Sequence, residues 1–218
     1  MVFIFKKLLV RHKQLKTHPL IYNPIIGILK YIVLNIFLRF KKKLVVWQWV
    51  NNLKYYLMVG DSCMISNCYF ILDDYEELTF LINFLNANET FIDIGANHGN
   101  YALISSGVVG ARTIAVEPVA STYNRLKMNL NLNNLRNVIP KKIGLSNKTG
   151  KLKISNDKGE LNRIIDNACN PNYEDIDVTT LDRLLINEKN VTMIKIDVEG
   201  YEKQVLEGAT KTLKRKKL

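Results

Sequence analysis

Apolar and polar positions change their spacing repeatedly along this chain, and the spacing predicts which segments form strands and which form helices. Short apolar runs bounded by turn residues predict strands at 55–59, 64–72, 90–94, 112–117, 138–146 and 191–198. Apolar residues spaced three and four apart predict helices after Asp73 and Asp74 and at 100–106, 120–131, 181–185 and 201–213. This alternation indicates an α/β fold with a mainly parallel sheet and right-handed crossovers. The polar stretch 156–175 is expected to be irregular.

The segment 21–40 does not follow this alternation, because it is strongly apolar yet carries polar residues, among them Lys30 near its middle. A lysine at that depth costs about 2.5 to 3.5 kcal/mol on membrane-insertion scales, so a helix that spans a membrane is disfavoured. Two alternatives stay open. Either the segment packs on the rest of the protein with its charges solvated, or residues 1–43 contact an anionic membrane surface through the basic residues that flank the segment.

Charge is distributed unevenly over the 218 residues, whose formal net charge is +11. Residues 1–60 contain eleven basic side chains and no acidic one, whereas residues 61–210 contain 15 basic and 20 acidic side chains. The shift coincides with the turn dipeptide Gly60-Asp61 and predicts a basic, apolar N-terminal helical arm at 1–60 and an α/β domain at 61–218. Because residues 61–210 are mildly acidic and residues 61–218 carry no net charge, a generally basic nucleic-acid-binding domain is disfavoured and no nucleic-acid partner is expected.

Cysteine and histidine are too sparse to suggest a cross-linked or metal-binding protein. Cys63, Cys68 and Cys169 form no CxxC pair and have no histidine at zinc-ligand spacing, so neither a disulfide framework nor a metal site is expected. Lys6 and Lys7 interrupt the apolar start of the chain and leave it too short for the apolar core of a secretory signal. A reducing, cytoplasmic setting is the resulting expectation.

Two glycines follow the predicted strand 90–94 and precede a predicted helix. Gly95 and Gly99 would let a ligand approach backbone N–H groups at the start of that helix, but their spacing differs from the GxGxxG pattern of dinucleotide-binding enzymes. Asp93 could hold an ammonium group, and Glu117, at the end of the next strand, could accept both hydrogen bonds of a ribose diol. An amino acid and a ribose on one ligand point to S-adenosylmethionine. The alternative is that the glycines only permit a tight turn and Glu117 is a solvated strand end.

The chain resembles the FkbM family of S-adenosylmethionine-dependent methyltransferases in blocks that occur in the family's order: 91–101, 116–118, 126–129, 133–138, 180–182 and 195–209. The resemblance covers about residues 64–213. It implies a class I methyltransferase fold, which is a Rossmann-like, mainly parallel sheet with flanking helices. It also implies methyl transfer from S-adenosylmethionine to a hydroxyl of a sugar, polyketide or other small molecule.

The resemblance further implies roles for single residues. The cofactor's methionine and ribose would be surrounded by the strand end and glycine turn, namely Asp93, Gly95, Ala96, Asn97 and Gly99. Glu117 would bind the ribose diol. Asp197 would face the transferred methyl group with Glu199 beside it, and Asp197, Glu199 and His98 are the candidates for the base that assists a hydroxyl acceptor. Two alternatives stay open: Asp197 caps the next helix, and His98 points to solvent.

After residue 213 the chain departs from the family, whose members continue with further strands. Residues 214–218 are mostly basic, so four core strands are expected in place of seven, with an unpaired apolar edge at 191–198. We therefore expect a domain that lacks the last strands and, in isolation, binds S-adenosylmethionine weakly or not at all. The alternative function is a catalytically inactive scaffold whose basic N-terminal arm binds a membrane surface or a partner.

Overall fold

The computed structural model describes residues 2–155, 163–164, 173–216 and 218. These residues form two units, Met1–Phe80 and Leu81–Leu218. The boundary predicted near residue 60 lies inside the first unit, because side chains before it bond to backbone after it. The indole of Trp49 donates to the carbonyl of Ile71 (2.6 Å), and the hydroxyl of Tyr55 donates to the carbonyl of Met64 (2.9 Å). The change in charge at residue 60 therefore does not mark the end of this unit.

The first unit contains helices and a short antiparallel hairpin. In chain order it comprises α1 (Val2–Thr17), α2 (Pro24–Lys41), β1 (Val45–Gln48), β2 (Lys54–Leu57) and α3 (Ser62–Phe70), and α4 (Tyr75–Phe84) leads into the second unit. α2 begins where the side-chain oxygen of Asn23 accepts the N–H of Ile25 (3.0 Å), with Pro24 in the first turn. Throughout the described residues, no helix has both the length and the apolar character needed to cross a bilayer.

Arg11 of α1 lies in an aromatic cluster within the first unit. Its guanidinium carbon is 5.9 Å from the ring centroid of Tyr31, 5.6 Å from that of Tyr69 and 5.8 Å from that of Phe70. Aromatic faces attract a cation at these distances. The cluster therefore joins α1, α2 and α3 through a positive charge that is only partly exposed.

Residues 64–70 are helical and not the predicted strand. α3 buries its large side chains, including Met64, Tyr69 and Phe70, while the hydroxyl of Ser66 donates to the carbonyl of Ser62 one turn earlier (3.0 Å). A short apolar run without strict alternation fits a buried helix as well as a strand. The periodicity of this segment was therefore insufficient to distinguish the two structures.

The second unit is built around a parallel sheet with flanking helices. Its elements, in chain order, are β3 (Thr90–Ile94), α5 (Asn100–Gly107), β4 (Arg112–Val116), α6 (Ala120–Leu132), β5 (Val138–Lys141), β6 (Gly144–Leu145), β7 (Gly150–Ser155), β8 (Tyr173–Thr179), α7 (Leu181–Leu184), β9 (Val191–Ile196), α8 (Glu202–Glu207) and a 3₁₀ helix at Thr212–Lys214. The main sheet has the order β5-β4-β3-β9, and its pairs are parallel. The predicted α/β fold is confirmed.

The core of the second unit is formed by the apolar side chains of the central strands. Ile92 and Ile94 of β3 and Ile114 of β4 pack with Leu181 of α7 and Val205 of α8, and all five are at most 2% exposed. Full burial of such a side chain stabilises a fold by about 1.5 to 3 kcal/mol. Among the described strands β9 pairs with β3 alone, so β9 forms one edge of this sheet.

The predicted strand 138–146 is two strands that belong to different sheets. β5 pairs with β4, whereas β6 pairs with β8 in a second sheet of order β6-β8-β7. Gly144 permits the change of sheet, because a Cβ at this position would lie 3.0 Å from the side chains of Ile176 and Val178 in β8. The stretch 156–175 was predicted to be irregular, but its last residues belong to β8 (Tyr173–Thr179). Residues 156–162 and 165–172 of that stretch lie outside the described residues.

The predicted helix 201–213 is also shorter than its pattern indicated. α8 ends before Gly208, where a Cβ would lie 2.2 Å from the carbonyl oxygen of Ser146. After it, the N–H groups of Lys211 and Thr212 donate to the carboxylate of Asp182 (2.9 and 2.7 Å). Contacts with distant parts of the chain thus end the helix where the local pattern would have continued it.

Candidate active site

Three acidic residues meet at the carboxyl edge of the main sheet. Asp93 lies in β3, while Glu117 and Asp197 come directly after β4 and β9, the two neighbours of β3. In the register of the sheet Asp93 is opposite Ala115 of β4 and Lys195 of β9. Since ligands of open α/β sheets bind outside the carboxyl ends of the strands, this edge is the candidate active site.

The glycine turn between β3 and α5 is held tightly to both neighbouring strands. The N–H groups of Gly95 and Ala96 donate to the carbonyl of Val116 at the end of β4 (3.0 Å each). Gly95 has φ 77°, and a Cβ there would lie 1.8 Å from the carbonyl oxygen of Asp197 after β9. The turn therefore requires glycine at this position both for its backbone conformation and for the close approach of Asp197.

Asp93 is a buried carboxylate that forms a 3.8 Å ion pair with Lys195. Its side chain is 1% exposed, and within the described part of the chain neither oxygen has a hydrogen-bond partner. The ammonium of Lys195 lies 3.8 Å from Oδ1, beyond hydrogen-bond distance. Burial raises the pKa of Asp93, and the charge of Lys195 opposes the rise. Because buried polar atoms in native proteins are nearly always paired, this carboxylate indicates a place for a ligand's donor.

The side chain of Asn97, in the same turn, has a second buried acceptor. Asn97 has φ 50°, and its Oδ1 is buried without a hydrogen-bond partner among the described residues. Its N–H donates to Oε2 of Glu117 (3.0 Å). The turn thus carries an unsatisfied acceptor of its own while its backbone is tied to the end of β4.

Glu117 is buried and is not a solvated strand end. Its Oε1 accepts the N–H of Val119 (3.0 Å), its Oε2 accepts that of Asn97, and the residue is 6% exposed. Burial raises the pKa of Glu117 to about 7, although these two hydrogen bonds oppose the rise. The carboxylate therefore connects the glycine turn with the segment that leads into α6.

Lys195 of β9 links the acidic residues of the site. Its ammonium lies 3.2 Å from Oδ2 of Asp197 and donates to the carbonyl of Gly95 (3.3 Å). It also lies 4.7 Å from the ring centroid of Tyr101 on α5. Sequence reasoning assigned no role to Lys195 or Tyr101. The signal for Lys195 was its charge inside an apolar strand run, where a cation requires partners.

The three candidate bases occupy different surroundings. The side chain of Asp197 is 61% exposed and reaches the site through its contact with Lys195. Glu199, with φ 52°, lies 3.6 Å from Arg163 through its carboxylate. His98 lies in the glycine turn, is partly buried, and accepts a hydrogen bond from Asn129 Nδ2 at its carbonyl (2.8 Å).

Glu202, and not Asp197, accepts the recorded side-chain hydrogen bonds in the turn before α8, whose N-cap residue Tyr201 makes no side-chain cap hydrogen bond. Oε1 of Glu202 accepts the N–H groups of Val198 (3.2 Å) and Gly200 (3.0 Å) in the turn before α8. The pKa of Glu202 is lowered mainly by its bond with Gly200. Sequence reasoning did not single out Glu202, although a glutamate that follows a Gly-containing turn at the start of a helix was the available signal.

The metal-ligating side chains do not cluster in the described ranges: no group of three or more His, Cys, Asp or Glu residues could hold a metal ion there. A shallow depression lined by Asn88, Glu89, Asn190 and Thr192 lies at the opposite, amino edge of the sheet. The chemistry-bearing residues therefore concentrate at the carboxyl edge.

A sequence model of the methyltransferase FkbM domain matches residues 93–217, more than half of the chain. The chain belongs to the FkbM methyltransferase family. The predicted family is confirmed, and the FkbM domain has the expected Rossmann-like, mainly parallel sheet with flanking helices, together with an N-terminal helical arm. The match begins at Asp93 and includes every residue discussed above at the carboxyl edge.

Solved structures show partial likeness to this FkbM chain. A methyltransferase FkbM from Methylobacillus flagellatus KT is 21% identical with a TM-score of 0.45, and the match covers 71% of this chain and 42% of that one. TYW2 from M. jannaschii, in complex with AdoMet, is 22% identical with a TM-score of 0.37, covering 44% and 42%. TYW2 from P. horikoshii, in complex with MeSAdo, is 19% identical with a TM-score of 0.37, covering 48% and 39%. The matched part is less than half the length of each of these proteins.

No curated protein sequence matches the FkbM chain significantly. Its family membership therefore rests on the match to the FkbM domain.

Proposed function

We propose that this FkbM domain binds S-adenosylmethionine at the carboxyl edge of β3, β4 and β9 and transfers its methyl group to a hydroxyl of a small molecule such as a sugar or polyketide. The observation that carries the proposal is the buried carboxylate of Asp93, whose recorded partner among the described residues is an ion pair with Lys195 at 3.8 Å, longer than a hydrogen bond. The amino group of the cofactor is a donor of the required charge. The reducing, cytoplasmic setting expected from the sequence is part of the same proposal.

The residues at this edge fit the cofactor. Asp93 and Asn97 both offer buried acceptors that lack partners in the described chain, and an ammonium group supplies donors. Glu117 uses each carboxylate oxygen for one backbone N–H. A carboxylate oxygen accepts more than one hydrogen bond, so Glu117 retains capacity for the hydroxyls of a ribose diol. Gly95, Ala96 and Gly99 keep the turn free of large side chains beside these acceptors.

When bound, S-adenosylmethionine would supply an electrophilic methyl group for the acceptor oxygen, with the thioether S-adenosylhomocysteine as the leaving group. The chain's contribution would be to hold the acceptor and to remove its proton. Asp197 is the preferred base, because its carboxylate is exposed to an incoming molecule and is held in place by the ammonium of Lys195 at 3.2 Å. His98 and Glu199 are the remaining candidates.

Calorimetry with the full chain tests the cofactor proposal. We expect micromolar or weaker binding of S-adenosylmethionine, and Asp93→Asn should weaken it by about tenfold or more, since a neutral amide loses the charge-assisted bond to the ammonium group. Asp177→Asn is the matched control, because that carboxylate is 72% exposed and contacts only a surface lysine in the recorded ion pair.

Two results would contradict the proposal. One is that a folded wild-type chain binds neither S-adenosylmethionine nor S-adenosylhomocysteine. The other is that Asp93→Asn and Asp177→Asn bind the cofactor equally well. Transfer of a labelled methyl group to hydroxylated small molecules, compared between wild type and Asp197→Asn, then tests the proposed base.

A further inference from the structure

Helix α2 presents a continuous apolar face to its surroundings. Besides Ile25 in its first turn, six large apolar side chains on it are between 39% and 84% exposed: Ile26, Leu29, Val33, Ile36, Phe37 and Phe40. With 3.6 residues per turn, these six positions fall within an arc of about 100° on the helix surface. The buried residues of α2 lie on the opposite side, at Gly27, Leu34 and Leu38. We call the six exposed residues the α2 apolar face.

Basic residues border the α2 apolar face on both sides. By the same geometry Lys30 and Lys41 lie along one border and Arg39 along the other. All three are exposed, as are Lys42 and Lys43 just beyond the helix. The ammonium of Lys41 lies 5.6 Å from the ring centroid of Phe37, so the cation stays next to the apolar surface. An apolar stripe with cations on both of its borders is the pattern of a helix that lies in a membrane interface.

The charge of the surrounding sequence indicates whether a second copy of the chain or a lipid surface fits the α2 apolar face. Residues 1–60 contain no carboxylate, so a second copy of the chain docking face to face would bring like charges together along both borders of the stripe. An anionic lipid surface offers the complementary charge to the borders and an apolar layer to the stripe.

We propose that the α2 apolar face lies in the plane of an anionic membrane leaflet, with Lys30, Arg39 and Lys41 against the lipid phosphates. The side chains of the stripe enter the boundary between headgroups and acyl chains, while Leu34 and Leu38 remain packed inside the first unit. Membrane attachment of this kind is peripheral, and it would bring a methyltransferase to acceptors that are made or held at a lipid surface.

Vesicle co-sedimentation with the full chain tests the membrane proposal. We expect the protein to pellet with vesicles of phosphatidylcholine and phosphatidylserine but not with phosphatidylcholine alone, and the bound fraction should fall as salt rises. Leu29→Asp/Val33→Asp, which interrupts the stripe, and Lys30→Glu/Arg39→Glu, which reverses its borders, should each weaken binding by about tenfold or more. The replaced side chains are exposed, so thermal unfolding of both variants should match wild type.

Matched controls lie in the second unit. Ile186→Asp replaces an apolar residue that is 75% exposed, and Lys142→Glu/Lys148→Glu reverses two exposed cations. Neither control should change vesicle binding. The proposal is overturned if wild type binds neither kind of vesicle, if it binds both equally, or if the controls weaken binding as much as the α2 variants. A dimer in sedimentation equilibrium that Leu29→Asp/Val33→Asp dissociates, with no vesicle binding by wild type, would instead assign the face to a second copy.

Discussion

Single residues at the carboxyl edge of the sheet combine burial with charge. Asp93 and Glu117 are nearly inaccessible, and the positive charge of Lys195 lies beside Asp93 and Asp197. The sequence could predict which carboxylates lie at this edge, because each lies near the carboxyl end of an apolar run. It could not predict that Glu117 is buried or that Lys195 lies beside Asp93, since both depend on how neighbouring strands are placed.

The elevated pKa of Glu117 predicts a pH-dependent stability. The carboxyl has a pKa of about 7 in the folded protein against an ordinary value of 4.5. Between these values the folded state binds more protons than the unfolded state, so the free energy of unfolding falls as pH rises, by about 3 kcal/mol in total. Glu117→Gln should remove this decrease.

Urea unfolding of wild type and Glu117→Gln at several pH values between 4.5 and 8 measures how the free energy of unfolding of each protein changes with pH. Glu207→Gln serves as control, because its carboxylate is 45% exposed on α8, and it should follow the wild-type profile. Parallel profiles for wild type and Glu117→Gln would show that burial does not raise the pKa of this carboxyl in the folded protein.

Gly95 and Gly200 provide a comparison of two glycines with positive φ. A Cβ at Gly95 would meet the carbonyl of Asp197 at 1.8 Å, whereas a Cβ at Gly200 would have no atom within 4 Å. Gly200→Ala should therefore cost only the conformational penalty of about 1 to 2 kcal/mol. Gly95→Ala should cost more than about 4 kcal/mol or prevent folding, because backbone must move.

The measurement is the free energy of unfolding of both alanine variants in urea. Equal losses would mean that the glycine turn can separate from the end of β9 without cost. Such a result would contradict the tight junction described for β3 and β9.

Among the elements, those defined by local signals were predicted most closely. The bounds of β3, β4, α5 and α6 agree with the sequence pattern to within one residue, since glycines and apolar alternation mark them. β8 was missed, and with it the carboxylate of Glu174, which accepts the N–H of Ala120 at the start of α6 (2.8 Å). That partner is 54 residues away in sequence, so no local pattern indicates it.

The 3₁₀ helix Thr212–Lys214, which follows α8, is held in place by the carboxylate of Asp182 in α7. Burial raises the pKa of Asp182, but hydrogen bonds from the N–H groups of Lys211 and Thr212 outweigh it and hold the pKa below its ordinary value. The contribution of the ionised Asp182 to the free energy of unfolding is therefore fully present above the pKa that this carboxyl has in the unfolded chain. This contribution is lost as pH falls through the lower pKa of the folded protein. Asp182→Ala should lower the free energy of unfolding at neutral pH by about 0.5 to 2 kcal/mol, as for other capping residues.

Urea unfolding at neutral pH and at acid pH tests the role of Asp182. The control is Asp177→Ala, which removes a 72% exposed carboxylate, and its effect should stay near zero. If Asp182→Ala were no more harmful than Asp177→Ala, the carboxylate would not be needed to hold the segment after α8.

At the scale of the whole molecule, the division of charge and the division of structure do not coincide. The charge changes at residue 60, but the first unit continues to Phe80, because α3 contributes the rings of Tyr69 and Phe70 to the cluster around Arg11. The parallel sheet was predictable from the order of strands and helices. The extent of the first unit was not, since it depends on contacts between helices that are distant in sequence.

The cluster around Arg11 has a practical consequence for handling the protein. Added salt weakens the attraction between a guanidinium and the aromatic rings around it only slightly, because the contact is short and partly shielded from solvent. Attraction between exposed lysines and a lipid surface is, by contrast, screened over the same range of ionic strength. If the α2 apolar face binds a leaflet as proposed, concentrated salt should release the protein in its native state without detergent.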